Sequence, residues 1–168
     1  MNGSPSGLVI ARDDPRAEDV QQLLVVHLAF ADDHSPPEDV HALDATGLLA
    51  PDMTFCSGRV GGELVVVGAL RRLDDDHAEI KSMHTAVAAR GQGHGRAMLE
   101  HLLVLARAER FGRVSLETGT MDAFAAARGL YASAGFTPCP PFADYPASRN
   151  STCMTLVLDA TEGGSTSQ

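Results

Sequence analysis

The sequence predicts an α+β fold with a mixed, largely antiparallel central sheet. Six segments are typical of strands and three of helices, in the order β-α-βββ-α-β-α-β. Tight turns join the three consecutive strands, which favours an antiparallel meander. A chain of 168 residues is long enough for one hydrophobic core. We therefore expect one domain over residues 1–158 and a polar, disordered tail over residues 159–168.

Composition and charge disfavour several classes of protein. A net charge of -9 argues against nucleic-acid binding, which depends on many Lys and Arg side chains. No apolar run approaches the roughly 18 residues of a membrane span, and the N-terminus lacks signal-peptide features, so we expect a cytoplasmic protein without membrane contact. The three cysteines lack CxxC spacing, which disfavours a disulfide framework and a zinc site, and we expect no metal. A homodimer is compatible with the sequence.

The first strand and helix are predicted near the N-terminus. Leu8 to Arg12 is typical of a strand. Asp13 or Asp14 can cap the following helix, with Pro15 in its first turn, and an apolar stripe extends to about Phe30. The next segment, ADDHSPPEDVHALD, is polar and predicts a loop with a short helix after its prolines. Four acidic residues of this segment could recognise a cation: Asp32, Asp33, Glu38 and Asp39.

Three strands are predicted between Met53 and Thr85. A Gly61-Gly62 turn joins the first two, and a turn of three aspartates, Asp74 to Asp76, joins the last two. This triplet lacks the alternating ligands of a calcium loop, so we interpret it as a solvated turn.

The remaining elements follow a glycine-rich segment. A helix of about 17 residues is predicted first, with Gly112 as its stop. RVSLETG is then typical of a strand, Ala123 to Ser133 of a helix, and Ser151 to Leu158 of a last strand. The apolar face of the first of these helices consists of Met98, Leu99, Leu102, Leu103 and Ala106.

The glycine-rich segment RGQGHGRAML joins a strand directly to a helix and indicates a ligand site. Glycines let the backbone approach a ligand closely, and the unpaired N–H groups at a helix start attract an anion. Arg90 and Arg96 add positive charge, so the loop suits a pyrophosphate. A dinucleotide fingerprint would need glycine at position 96, and a Walker loop would need Gly-Lys-Ser or Gly-Lys-Thr. The sequence has neither.

Two separated motifs resemble a known family. Arg90-x-x-Gly93-x-Gly95 is similar to the Arg/Gln-x-x-Gly-x-Gly/Ala signature of the GNAT superfamily of N-acetyltransferases. LYASAGF, Leu130 to Phe136, resembles the Tyr-x-x-x-Gly-Phe segment of that family. The element order also matches over nearly the whole chain. The resemblance implies a bacterial-type member whose sheet carries helices on both faces and splays between strands four and five.

The resemblance implies acetyl-CoA as co-substrate, without a metal. Its pyrophosphate would lie on the backbone of the glycine-rich loop, and its pantetheine arm would pair like an extra strand along the fourth strand. Phe124 departs from the family pattern, because many members carry there an Asn that contacts CoA. The residues implied in cofactor binding are Met83, His84, Thr85, Arg90, Gly91, Gln92, Gly93, His94, Gly95 and Arg96.

The implied reaction moves an acetyl group to a primary amine of a small molecule or peptide, by direct attack in a ternary complex. An amine attacks only when neutral, so a base must take its proton and an acid must reprotonate the thiolate. Tyr131 matches the tyrosine that commonly donates this proton. Glu79, eleven residues before the arginine of the first motif, has the offset of the base in the histone-acetyltransferase branch, and Glu117 is the alternative base. The backbone N–H of Met83 or His84 would stabilise the oxyanion.

A rival hypothesis from another class is a non-catalytic acyl-CoA-binding regulator. The presence of both Glu79 and Tyr131 favours the enzyme.

Strand alternation makes a specific prediction for the fourth strand. Glu79, Lys81, Met83 and Thr85 should share one face, and His84 should face away from them. We interpret His84, like His94 in the loop, as structural, because a single histidine without a partner is seldom catalytic.

Lys81 is the only lysine of the chain, and two roles are open for it. It could anchor a substrate carboxylate while its charge holds Glu79 ionised, or it could only pair with Glu79 or Glu117 on a partly exposed sheet face. The Pro-rich loop PCPPFADYPASRN could frame the substrate from the other side through Phe142, Asp144, Tyr145 and Arg149.

Overall fold

The structure is a computed structural model that describes residues 5–158. The strands in this range are β1 (Leu8–Arg12), β2 (Met53–Val60), β3 (Glu63–Arg72), β4 (His77–Thr85), β5 (Arg113–Gly119), β6 (Thr137–Cys139) and β7 (Ser151–Val157). The helices are α1 (Glu18–His34), α2 (His94–Ala108) and α3 (Ala125–Ser133), and short 3-10 turns occupy Pro37–Asp39, Gly47–Leu49, Val87–Ala89 and Asp122–Phe124. The tail expected over residues 159–168 lies outside the described residues.

The strands form one mixed sheet in the spatial order β1-β2-β3-β4-β5-β7-β6. Neighbouring strands are antiparallel except β4 and β5, and β2, β3 and β4 form the predicted meander. β4 and β5 pair only over His77–Glu79 and Arg113–Ser115 and then diverge. This divergence confirms the predicted splay between the fourth and fifth strands. It also leaves the second half of β4 without a strand partner on that side, as far as residues 5–158 show.

Helices cover both faces of this sheet, as predicted. α2 and α3 pack on the face that carries Ile80 and Leu116. α1 packs on the opposite face, where Val20 and Leu24 meet Val67. The predicted apolar face of α2 is buried throughout. No helix within residues 5–158 combines the length and apolar character that crossing a membrane would require.

The start of α1 differs from the prediction, because neither Asp13 nor Asp14 caps it. The helix begins at Glu18, and no side chain caps it. The Asp13 carboxylate accepts hydrogen bonds from Ser57 and Arg59 instead. The Asp14 carboxylate accepts the N–H of the residue two positions later, which closes a turn before the helix. Tertiary partners on β2 thus outweigh the local capping preference at Asp13.

The end of α1 lies four residues beyond the predicted Phe30, at His34. Ser35 leaves the helical conformation because it precedes Pro36, whose ring disfavours the α region for the residue before it. Asp32 and Asp33, assigned to a loop from the sequence, are therefore exposed residues of the last helical turn. The short helix predicted after the prolines is present as the 3-10 turn Pro37–Asp39.

Two further differences concern strand β6 and the end of α2. Strand β6 was not predicted from the sequence, because it has three residues and contains a proline, which this strand tolerates at the edge of the sheet. Helix α2 ends at Ala108 rather than near Gly112, since Arg110 already takes a left-handed conformation with φ 66°. Glycine at position 112 instead makes room for Asp76, because a Cβ there would lie 3.0 Å from the Asp76 carboxyl carbon.

Candidate active site

The glycine-rich loop leads into helix α2 as predicted. Gly91 and Gly93 have positive φ values of 75° and 84°, and Gly93 is the N-cap of the helix. No side chain caps this end of α2, so its first N–H groups are available to a ligand. A Cβ built on Gly91 would have no atom within 4 Å, and one built on Gly93 would meet only a ring carbon of Pro5 at 3.6 Å. The space above the loop is therefore open at the point where an anion would bind.

A cleft of about 690 Å³ extends from this loop into the splay between β4 and β5. Gln92 does not line it and borders a neighbouring hollow instead. The predicted Phe142, Asp32, Asp33, Glu38, Asp144 and Arg149 do not line it either. The predicted site residues that do line the cleft are Asp39, Glu79, Lys81, Met83, His84, Thr85, Arg90, Gly91, Gly93, His94, Gly95, Arg96, Glu117, Tyr131 and Tyr145.

A β-bulge in β4 makes the predicted alternation wrong beyond Lys81. Lys81 pairs with Ala69 and His84 with Val67, so β4 has one more residue than β3 between these two pairs. Ser82 sits in the bulge with φ 57°. From Met83 onward, each side chain of β4 therefore points to the face opposite to the one that strict alternation predicts.

The bulge redistributes the side chains of β4 between the two faces. Met83 packs into the core under α2, and its sulfur would lie 2.9 Å from a Cβ on Gly68. His84, opposite Val67, lies on the α1 face together with Glu79 and Lys81. The prediction that Met83 shares a face with Glu79 and that His84 faces away is thus wrong in both parts.

Glu79, Lys81 and Tyr145 form a buried hydrogen-bonded cluster at the inner end of the cleft. The Lys81 ammonium lies 3.2 Å from Glu79 Oε1 and 2.7 Å from the Tyr145 hydroxyl, which donates a short hydrogen bond to the same Oε1. The side chains of Lys81 and Glu79 are 8% and 1% exposed, so the pair is buried rather than partly exposed as the sequence analysis assumed. Glu79 Oε2 is buried and has no partner among the described residues. One carboxylate oxygen is therefore held in place and the other is left free.

Burial also governs the two phenols of the cleft. The pKa of Tyr145 is raised by burial and by the charge and hydrogen bond of Glu79. The pKa of Tyr131 is raised by burial and by the charge of Glu117. Both groups therefore keep their protons at neutral pH. The Tyr131 hydroxyl has no hydrogen-bond partner within residues 5–158, and because Tyr131 lines the cleft the hydroxyl can donate to a ligand.

Glu117 faces the cleft from β5, beyond the splay. Its Oε1 accepts a hydrogen bond from the hydroxyl of Ser151. Burial raises the pKa of its carboxyl group, and the Ser151 hydrogen bond opposes this rise only in part.

Known proteins of similar sequence show the family to which this chain belongs. Residues 17–136 match the family model described as Acetyltransferase (GNAT) family. The chain belongs to the GNAT family. It is therefore an acetyltransferase, an enzyme for which acetyl-CoA is the co-substrate.

Three GNAT relatives are similar to this chain over most of its length. The uncharacterized N-acetyltransferase YsnE of Bacillus subtilis is 43% identical over 87% of this chain and 97% of its own. The uncharacterized N-acetyltransferase YedL of Escherichia coli is 42% identical over 89% and 94%. The IAA acetyltransferase of Azospirillum brasilense is 34% identical over 82% and 90%.

Solved GNAT structures share the fold at lower identity. A candidate acyl-CoA N-acyltransferase of Klebsiella pneumoniae superposes with a TM-score of 0.75 at 24% identity, covering 90% of this chain and 98% of its own. A GNAT acetyltransferase of Elizabethkingia anophelis with acetyl-CoA bound has a TM-score of 0.68 at 17% identity, covering 91% of this chain and 99% of its own. These likenesses agree with the mixed, splayed sheet of this GNAT protein.

Helix α1 contributes to the GNAT cleft an aromatic wall that was not predicted from the sequence. The Nδ1 atoms of His27 and His84 are 3.1 Å apart, and burial lowers the pKa of each ring to about 4. Phe30 packs edge-on against Phe124, with ring centroids 5.3 Å apart. The helical stripe of α1 includes His27, but periodicity alone does not distinguish a residue that lines a cleft from one that fills a core.

Proposed function

We propose that this GNAT enzyme transfers an acetyl group from acetyl-CoA to a primary amine by direct attack in a ternary complex, with Glu79 as general base and Tyr131 as general acid. The observation that carries the proposal is the free Oε2 of Glu79. This oxygen belongs to a carboxylate that is 1% exposed, lines the cleft and is oriented through its other oxygen. A base must be held within hydrogen-bonding reach of the proton it removes.

The residues of the cleft suit acetyl-CoA at its outer end. The open backbone at Gly91 and Gly93, the uncapped start of α2, and Arg90 and Arg96 offer donors and positive charge to a pyrophosphate. The unpaired edge of β4 beyond Glu79 offers backbone groups to the pantetheine arm. We infer that the arm runs along this edge toward Glu79.

The proposed chemistry uses three groups of the chain. Glu79 Oε2 accepts a proton from the bound ammonium, and the resulting neutral amine attacks the carbonyl carbon of the thioester. The backbone N–H of Met83 or His84 stabilises the negative oxygen of the tetrahedral intermediate. The carbon–sulfur bond then breaks, and the Tyr131 hydroxyl gives its proton to the leaving thiolate. Its raised pKa keeps Tyr131 protonated until that step. As the amide forms, its nitrogen loses a second proton, which restores the Tyr131 hydroxyl, and Glu79 releases its own proton to water.

Release of the CoA thiol tests the proposed function. We expect saturable release when the protein is given acetyl-CoA together with an amine it accepts, and acetylated amine in equal amount by mass spectrometry. The assay covers a panel of small amines and short peptides between about pH 6 and pH 9, because the rate of general-base catalysis depends on pH. Tight binding of acetyl-CoA without thiol release for any amine would contradict the proposal.

A further inference from the structure

Among residues 5–158, the acceptor end of the cleft carries three carboxylates but one lysine or arginine. Asp39, Glu79 and Glu117 line this end together with Lys81, whereas Arg90 and Arg96 belong to the loop at the other end. Lys81 is already paired with Glu79, and its ammonium also donates to Tyr145. The charge of Lys81 is thus balanced before any substrate binds.

Neither of the other two carboxylates has an ion-pair partner within residues 5–158, although the charges of His41 and Lys81 act on Glu117 from beyond salt-bridge distance. Asp39 is 7% exposed and accepts hydrogen bonds from the neutral groups of Ser148 and Asn150. Glu117 accepts one from the neutral hydroxyl of Ser151. Neither carboxylate forms an ion pair with any residue that the structure describes. A buried charge that is not paired is costly, so a cation bound here would relieve this cost.

A second feature independently points to a ligand at this place. Glu79 Oε2 is buried in the wall of the cleft and has no hydrogen-bond donor within residues 5–158. Buried polar atoms of native proteins are nearly always satisfied, so the missing donor is expected from a bound molecule. A protonated amine supplies such donors.

We propose that the acceptor is a cationic amine of the linear diamine class, with one amino group at Glu79, a second positive group toward Glu117 and Asp39, and no carboxylate. This inference rests on the proposed function and narrows its substrate. The second ammonium balances the carboxylates that lack an ion pair. A substrate carboxylate would instead be repelled by Glu79, Glu117 and Asp39. Lys81 would offset little of this repulsion, because its charge is already paired with Glu79. Lys81 therefore serves to hold Glu79 rather than to anchor a substrate carboxylate.

Three amines that share a five-carbon chain test this inference. 1,5-Diaminopentane has both amino groups, 1-aminopentane lacks the second, and L-lysine adds a carboxylate. We expect kcat/KM for the diamine to exceed that for each of the other two by about 10- to 100-fold, the effect of one charged hydrogen bond. Glu117→Gln should raise KM for the diamine and reduce the ratio of its kcat/KM to that of 1-aminopentane.

The outcomes separate this inference from the proposed function. Equal or greater kcat/KM for L-lysine or 1-aminopentane would overturn the diamine class while leaving N-acetyl transfer intact. An unchanged preference for the diamine in Glu117→Gln and in Asp39→Asn would overturn the binding of its second ammonium by these carboxylates. Acetyl-CoA binding without thiol release for any of the three amines would overturn the diamine class, whereas the proposed function is contradicted only if the whole panel of amines and peptides is inert.

Discussion

Replacing Glu79 by glutamine is expected to lower kcat by about 10²- to 10⁴-fold, the usual contribution of a general base. The amide oxygen can still accept hydrogen bonds from Lys81 and Tyr145, so the shape of the cluster is retained. The amide cannot take a proton from the amine. Steady-state rates at saturating amine and acetyl-CoA measure the effect, and acetyl-CoA affinity should change little because Glu79 lies at the opposite end of the cleft from the loop.

Two controls make the Glu79→Gln result interpretable. The variant leaves the buried ammonium of Lys81 without its counter-charge, which can cost about 3–5 kcal/mol of folding free energy. The double variant Glu79→Gln, Lys81→Met removes both charges and should recover thermal stability without recovering activity. Glu117→Gln should act on KM of the amine rather than on kcat. If Glu117→Gln abolished turnover while Glu79→Gln retained it, the base would be Glu117.

The second large effect is expected at the loop, where Gly93→Val should weaken acetyl-CoA binding by about tenfold or more, equivalent to about 1.4 kcal/mol or more. Valine at φ 84° is strained, and its side chain would project above a backbone that is open to the ligand. Calorimetric titration with acetyl-CoA measures the loss, and circular dichroism confirms that the variant is folded.

The matched control for Gly93→Val is Gly62→Val in the turn between β2 and β3. Gly62 has φ 85° and no atom within 4 Å of a built Cβ, so valine there suffers the same backbone strain, about 1–2 kcal/mol. Gly62 does not line the cleft, and its variant should bind acetyl-CoA with unchanged affinity. Undiminished affinity in a folded Gly93→Val protein would refute the assignment of the loop.

Much of the fold could be predicted from sequence because its signals are local. Glycine pairs and aspartate clusters fix tight turns, and the apolar stripe of α2 identifies the face that is buried. The loop before α2 was predicted from its glycines, whereas the β4–β5 splay was expected from the family resemblance, which motifs at Arg90 to Gly95 and Leu130 to Phe136 carry. The structure confirms both features.

The failures of prediction arise where tertiary structure overrides a local pattern. Alternation assigned Met83 to the face of Glu79, but the bulge at Ser82 inserts a residue that no local composition reveals. Tyr145 was named as a loop residue near the substrate. Its hydrogen bonds to Glu79 and Lys81 depend on a return of the chain across more than sixty positions. Such contacts have no signature at short sequence separation.

The most direct test of acetyl transfer in a ternary complex is whether any thiol is released before the amine binds. Direct attack requires acetyl-CoA and amine to be bound together. Within residues 5–158, no cysteine lines the cleft, so no thiol is placed to accept the acetyl group instead of the amine. We predict that double-reciprocal plots with both substrates varied intersect, and that acetyl-CoA alone neither releases a stoichiometric burst of thiol nor adds an acetyl group to the intact protein mass. Parallel lines together with an acetylated enzyme would contradict direct transfer to the amine.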